Sequence, residues 1–147
     1  MQQVSCLCLL DLFAAFDTLD HSILLHRLST WFGIFSVSLQ WFTSYLSPRT
    51  STLGIPPHSS PSSHLTCGVP QGSVLGPVLL NIYTTPLSSP ISVSSISHLL
   101  YTDDTQLFES FVPKNVSSAI NNLQSTITHI SSWMSSNYLN LNPSKSL

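Results

Sequence analysis

Two adjacent aspartates, Asp103 and Asp104, interrupt the stretch Leu-Leu-Tyr-Thr-Asp-Asp-Thr-Gln-Leu-Phe at residues 99–108. The flanking residues 97–101 and 106–111 alternate apolar and polar character as strands do, and residues 102–105 read as the turn between them. Neighbouring carboxylates at a hairpin tip repel, and folding gains little from them there. A divalent cation turns that repulsion into binding energy, because Mg²⁺ takes hard oxygen ligands. Asp also favours turns for its own sake, so the pair by itself leaves both readings open. A further carboxylate, Asp11, closes the nearly continuous apolar run Val-Ser-Cys-Leu-Cys-Leu-Leu at residues 4–10. Carboxylates converging from distant strand ends are what a two-metal site needs, with the ions about 3.5–4 Å apart. Such a site activates an attacking oxygen and stabilises a leaving phosphate.

Another stretch, Gly68-Val69-Pro70-Gln71-Gly72-Ser73-Val74-Leu75-Gly76-Pro77, makes a shaped loop, with Gly72 or Ser73 opening a helix to about Thr85. Glycine lets a backbone approach a ligand or another chain closely, and Gln71 sets an amide beside that bare backbone. An ordinary glycine-rich turn explains the same residues. The stretch is not a P-loop, since no Gly-Lys-Ser/Thr follows at the needed spacing. Cys6, Cys8 and Cys67 form no Cys-x-x-Cys pair, and their odd number argues against a disulfide framework. Cys6 and Cys8 fall on one face of a strand and read as buried thiols. His21 and His26 are five apart, which is not one helix face, so no zinc site is expected. Asn115-Val116-Ser117 matches the glycosylation triplet, a chance match in a chain without a secretory signal.

These residues need a scaffold to bring them together. Residues 4–10 suit a strand buried on both faces. Asp20 or Ser22 caps a helix through about Thr30, whose apolar face is Ile23, Leu24, Leu25 and Leu28. Asp17 and Asp20 lie well placed against its dipole, a structural role. A second helix over residues 36–46 carries Leu39, Trp41, Phe42, Tyr45 and Leu46, read as core. Residues 49–55 read as a strand, 56–63 as a Pro/Ser/His loop and candidate disordered insertion, and 63–67 as the returning strand. Residues 86–95 read as a serine-rich connection. Ile120, Leu123, Ile127, Ile130, Trp133 and Met134 recur at helical spacing within residues 116–137, and residues 138–141 return as a short strand. The order predicts an α+β fold in which helices pack one face of a small, mostly antiparallel sheet.

Composition narrows the function. Of 147 residues, 42% are hydrophobic and only 7% charged, far below the roughly 25% of an ordinary soluble domain. The formal net charge is −2, and the only basic residues besides histidine are Arg27, Arg49, Lys114 and Lys145. No basic stripe marks a free-standing nucleic-acid binder. The apolar residues 6–16 contain Asp11 and follow no basic segment, so no signal peptide is read, and no run reaches the roughly 18 apolar residues of a membrane span. The expected place is intracellular, nucleus or cytoplasm undecided.

Taken in order, these stretches resemble the reverse transcriptase domain of non-LTR (LINE-type) retrotransposons. Leu9-Leu10-Asp11-Leu12-Phe13-Ala14-Ala15-Phe16-Asp17-Thr18-Leu19-Asp20-His21-Ser22 resembles that family's first palm motif, and residues 67–77 its second. Tyr101-Thr102-Asp103-Asp104-Thr105-Gln106-Leu107 resembles the Tyr-x-Asp-Asp box, and Leu139-Asn140-Leu141-Asn142-Pro143-Ser144-Lys145 the fourth motif. The resemblance implies a polymerase palm over residues 1–147, with fingers and thumb largely missing, and RNA-templated DNA synthesis. Asp11, Asp103 and Asp104 would hold two Mg²⁺ ions, with Lys145 assisting pyrophosphate departure. Leu12 matches the position where backbone meets the triphosphate. Phe16 matches the aromatic gate that leaves no room for a 2′-hydroxyl. Gln71 and Gly72 match the loop that supports template base and nucleotide. Partners implied are an RNA template, a DNA primer and a dNTP, held weakly by this chain because phosphate affinity comes largely from Lys and Arg. Thr102 stands where these elements usually have Ala, and Phe13 where Ser is common.

Other classes compete. The chain by itself also reads as a non-catalytic relic of a mobile element, inactive alone and acting at most as an interaction or weak metal-binding module. A metal-dependent phosphohydrolase would explain the aspartates but leave Phe16 and residues 68–73 without a task. A plain interaction module would make the aspartates accidental.

Overall fold

Alternation in the first run builds the central strand, β1 (Val4–Phe13), which continues past Asp11 instead of ending there. Its even-numbered side chains Cys6, Cys8, Leu10 and Leu12 face the core, while Leu7, Leu9 and Phe13 are exposed. The expectation of burial on both faces is therefore wrong: among the described residues, helices cover one side of the sheet only. The computed structural model describes residues 3–47, 49–51, 54–55 and 58–146.

β1 pairs antiparallel with β7 (Asp104–Phe111), which pairs in turn with β6 (Ser97–Tyr101). The far edge of β1 takes the two-residue β8 (Asn140–Leu141), giving the order β6-β7-β1-β8. The reversal between β6 and β7 is tighter than expected. Asp104 is already in the strand, opposite Asp11, and only Thr102 and Asp103 make the turn.

Behind the sheet lie a short α1 (Ala15–Thr18), α2 (His21–Thr30), α4 (Gly76–Thr84), α5 (Ser88–Val93) and α6 (Val116–Ser135), with α3 (Ser36–Leu46) packed against α2. Asp20 caps α2 as expected, accepting from the Ile23 amide at 2.9 Å. Leu24 and Leu28 on α2, Leu79, Leu80 and Tyr83 on α4, and Ile130 and Met134 on α6 close a core with Leu10 and Leu107 of the sheet. Each such burial contributes about 1.5–3 kcal/mol. Cys6 and Cys8 sit on the core face as read, and burial, then the neighbouring Cys6, pushes the Cys8 thiol up.

Several boundaries moved. α4 starts at Gly76 and not at Gly72 or Ser73, because residues 70–75 form the turn that shapes the site. Residues 86–95 are not a plain connection but a 3₁₀ turn (Thr85–Leu87) and α5. Serine is a modest helix former, but fully buried Leu87 and Ile91 outweigh its propensity of roughly half a kcal/mol. On α3 only Leu46 is fully buried. Phe42 and Tyr45 are half-buried against the core as read, whereas Trp41 is half exposed, stacking on Tyr45 at 5.5 Å and meeting Phe42 edge-on at 5.1 Å. Ile120, read as part of the apolar face of α6, is exposed. Of the strand expected over 49–55, Arg49–Ser51 forms β2 and Gly54–Ile55 forms β3, while residues 52 and 53 lie outside the described residues. β4 (His58–Ser59) pairs with β3, and β5 (Ser63–Leu65) with β2. Residues 56 and 57 of the expected loop lie outside the described residues. Among the described residues no helix is long and apolar enough to cross a membrane.

Candidate functional site

The sheet register brings the distant carboxylates to one end of the molecule. Asp11 lies directly opposite Asp104 across β1 and β7, and the Leu12 amide donates to the Asp103 carbonyl at 3.1 Å. A cleft of about 370 Å³ opens there, lined by Asp11, Leu12, Phe16, Gln71, Asp103 and Lys145 together with Phe13–Ala15 and Asn142. Phe16 and Gln71 also line an adjoining hollow of about 360 Å³ with Gly72, Ser73 and Gly76. Seven of the eight residues singled out from the sequence thus surround two adjacent spaces that share the Phe16 ring.

The exception is Asp104, which is exposed and absent from the cleft wall. Among the described residues no three His, Cys, Asp or Glu side chains stand close enough to hold a metal ion, so the expected cage of three carboxylates is not assembled in this arrangement. Two carboxylates remain in the cleft. They are hard oxygen donors of the type Mg²⁺ takes, and Mg²⁺ is commonly held by one or two carboxylates, with water and substrate phosphates completing its shell. The donor set fits a divalent ion in kind.

Each carboxylate is already held by neighbours. The Asn142 side-chain amide donates to Asp11 Oδ2 at 2.9 Å, and the Asn142 backbone amide to the Asp11 carbonyl at 2.8 Å. The Lys145 ammonium stands 3.8 Å from the same Oδ2, on a side chain that is 70% exposed. Ser146 Oγ accepts from the Asp11 amide at 3.4 Å and donates to the Asn142 carbonyl. Asp103 Oδ1 accepts from the Thr102 hydroxyl at 2.8 Å. Thr102 itself sits at φ 53, a region β-branched residues avoid, with its amide donated to Asn81 Oδ1 at 2.7 Å. Leu12 differs from expectation in one respect. Its amide is engaged by Asp103 and its side chain is core, so it has no free N–H for a phosphate.

The glycine loop is fastened to the same end. Gly68 at φ 81 leaves no space for a side chain: a Cβ would come within 2.9 Å of the Asp17 carbonyl. That close approach lets the Gly68 and Val69 amides donate to the Leu19 and Phe16 carbonyls, both at 2.7 Å. The Gly68 carbonyl accepts from His21 Nε2 at 2.8 Å and from Arg49 at 3.2 Å. Gln71 Nε2 donates to both Asp17 oxygens at 3.1 Å, giving Asp17 a loop contact that a helix-dipole reading had not foreseen. The contributions of Asn142 and Asn81 also escaped sequence reasoning. Asn142 carried a signal in its place within the fourth motif, whereas Asn81 lies mid-helix with nothing to mark it.

Residues 1–147 match the family model described as reverse transcriptase (RNA-dependent DNA polymerase). The chain is 28% identical over 142 residues to the RNA-directed DNA polymerase from mobile element jockey of Drosophila melanogaster, covering 92% of this chain and 15% of that protein. It is likewise 28% identical over 148 residues to the probable RNA-directed DNA polymerase from transposon BS of the same fly, covering 94% of this chain and 15% of that one. The chain therefore spans about 15% of the length of these curated relatives. Among solved structures it is similar to the apo telomerase from Candida tropicalis truncated from its C-terminal domain, at a TM-score of 0.71 and 14% identity over 100% of this chain and 30% of that one. The telomerase from Candida albicans in complex with the TWJ fragment of telomeric RNA gives a TM-score of 0.69 at 14% identity, over 97% of this chain and 27% of that one. At that identity the likeness shows the fold alone, a polymerase palm-like arrangement of antiparallel sheet and helices.

Proposed function

The chain belongs to the reverse transcriptase (RNA-dependent DNA polymerase) family, and on that premise we propose that residues 1–147 act as the catalytic palm of an RNA-templated DNA polymerase. The observation that carries the reading is the meeting of Asp11, Asp103, Phe16, Gln71 and Lys145, from four separate stretches, around one cleft. Asp11 and Asp103 would hold two Mg²⁺ ions, whose chemistry there is activation of a primer 3′-hydroxyl and neutralisation of charge on the incoming triphosphate. Asp104 is the reserve carboxylate, facing Asp11 across the strands. Phe16 walls the space between cleft and hollow, where a flat ring under the sugar would exclude a 2′-hydroxyl. Gln71 and Gly72 shape the hollow that would receive the paired template and nucleotide bases. Lys145 contacts Asp11 and is free enough to swing toward a leaving pyrophosphate as proton donor or counter-charge.

Grip on nucleic acid by this chain alone would be weak. Arg27 is buried and Arg49 is bonded to the glycine loop, so little cationic surface is left for phosphates. The test is primer extension on an RNA template with Mg²⁺, using this chain and a jockey polymerase that carries it in place of its matching residues. Extension that vanishes in Asp103→Asn supports the reading. Hydrolysis of phosphate esters without extension would replace it with a phosphohydrolase, and no Asp-dependent chemistry in either protein would leave a non-catalytic relic.

A further inference from the structure

α4 joins both halves of the site. Its N-terminal end follows directly on the turn bearing Gln71 and Gly72, and further along the same helix is Asn81. Asn81 Oδ1 accepts the Thr102 amide at 2.7 Å, and the Thr102 hydroxyl then donates to Asp103 Oδ1 at 2.8 Å. Thr102 occupies left-handed backbone that a β-branched residue adopts only when its surroundings hold it there. A two-residue turn leaves few ways to do so, and the Asn81 acceptor is the side-chain contact to the turn amide. We infer that Asn81 is a positioning residue: through the Thr102 backbone it sets the orientation of the Asp103 carboxylate and ties it to the helix that carries the nucleotide-side loop. The inference rests on the polymerase reading and goes beyond it, since Asn81 lines neither the cleft nor the hollow.

The role requires an acceptor oxygen and not an amide. Asn81→Asp keeps that oxygen, whereas Asn81→Leu keeps the size and loses it. Two measurements on the full 147-residue chain separate the link from its consequence. Hydrogen exchange of the Thr102 amide reads the bond, and Mn²⁺ titration followed by electron paramagnetic resonance reads the carboxylates. In Asn81→Leu the Thr102 amide is expected to exchange about tenfold faster or more. Its Mn²⁺ affinity should fall about tenfold, the loss typical of a group that orients a metal ligand. Asn81→Asp should restore both, a rescue that a packing role would not show. If Asn81→Leu does not fold, Asn81→Ser, which is too short to reach Thr102, makes the same comparison. Unchanged Thr102 exchange overturns the inference. So does unchanged Mn²⁺ affinity in a chain whose Mn²⁺ binding is lost in Asp103→Asn. Mn²⁺ binding indifferent to both Asp103→Asn and Asp11→Asn would instead sink the polymerase reading, and Asn81 would then be a turn anchor without a metal to serve.

Discussion

Two charged centres in this molecule are built in opposite ways. Behind the sheet, the Arg27 guanidinium is buried between the rings of Tyr83 and Trp133, at 4.5 and 5.2 Å from their centroids. It donates to the Tyr83 carbonyl and to the Asn137 side chain, and the Tyr83 hydroxyl closes the circuit onto the Asn137 carbonyl at 2.7 Å. Burial lowers the arginine's affinity for its proton and pushes the tyrosine's pKa up. At the strand ends, Asp11 and Asp103 also have partners, but on one side only, and a cleft opens on the other. A sealed cation with its donors engaged ties α2, α4 and α6 together. A carboxylate held from behind and open in front is prepared for a ligand that the chain does not supply.

The contrast is sharpest if the two centres fail differently. Asp103→Asn should abolish extension in the jockey chimera, by about a thousandfold, since it removes several kcal/mol of charge stabilisation; its denaturation midpoint should barely move. Arg27→Ala should do the reverse, costing about 3 kcal/mol of folding free energy in a urea titration through lost ring contacts and an unpaired Tyr83 carbonyl. Equal damage to folding from both variants would erase the distinction. Asn142→Ala should fall between them, lowering activity or Mn²⁺ affinity about 10- to 100-fold at nearly constant stability, because its side-chain amide orients the Asp11 carboxylate.

Alkaline titration probes the covered face of the sheet and the helices behind it, through Cys8 of β1 and Tyr83 of the sealed centre. Cys8 and Tyr83 both have their pKa raised in the fold, chiefly by desolvation. A raised pKa gives stability that is complete below the unfolded value and is lost as pH climbs through the folded one. Melting temperature should therefore hold to about pH 8 and decline from about pH 9 upward, as first thiol and then phenol titrate in the unfolded chain. Cys8→Ala should remove the earlier part of that decline. The smallest effect belongs to the uncovered face of the sheet: Leu7→Ser should change stability by no more than about 0.5 kcal/mol, against about 2–5 kcal/mol for Leu107→Ala on the covered face. A large loss at Leu7 would mean that its face is covered in solution.

Much of this was legible from residue order. Asp11, Asp103 and Gln71 stood out by residue type and setting, Phe16 only through the family resemblance, and the periodicity of residues 4–10 and 97–111 marked the strands that position the aspartates. Asp20 declared the start of α2 because capping is a local bond. The misses have non-local causes. α5 exists because Leu87 and Ile91 find a core to enter, which overrides the local preference of its serines. Arg27 is marked in the sequence only as one of four basic residues, and its burial appears once three helices close around it. Asp104 reads as a turn residue because a reversal of two residues and one of four look alike in sequence, and only pairing with β1 chooses between them.

What the sequence determined by itself is the inventory: which side chains can carry phosphoryl chemistry, the strands and helices they ride on, and the family pattern they follow. Those are properties of residue type and short spacing, and they survive without a fold. The tertiary structure alone decided which carboxylates share a space, which amides hold them and which face of the sheet stays bare. Those outcomes depend on hydrogen bonds and packing between residues as far as 135 positions apart, where no local rule reaches.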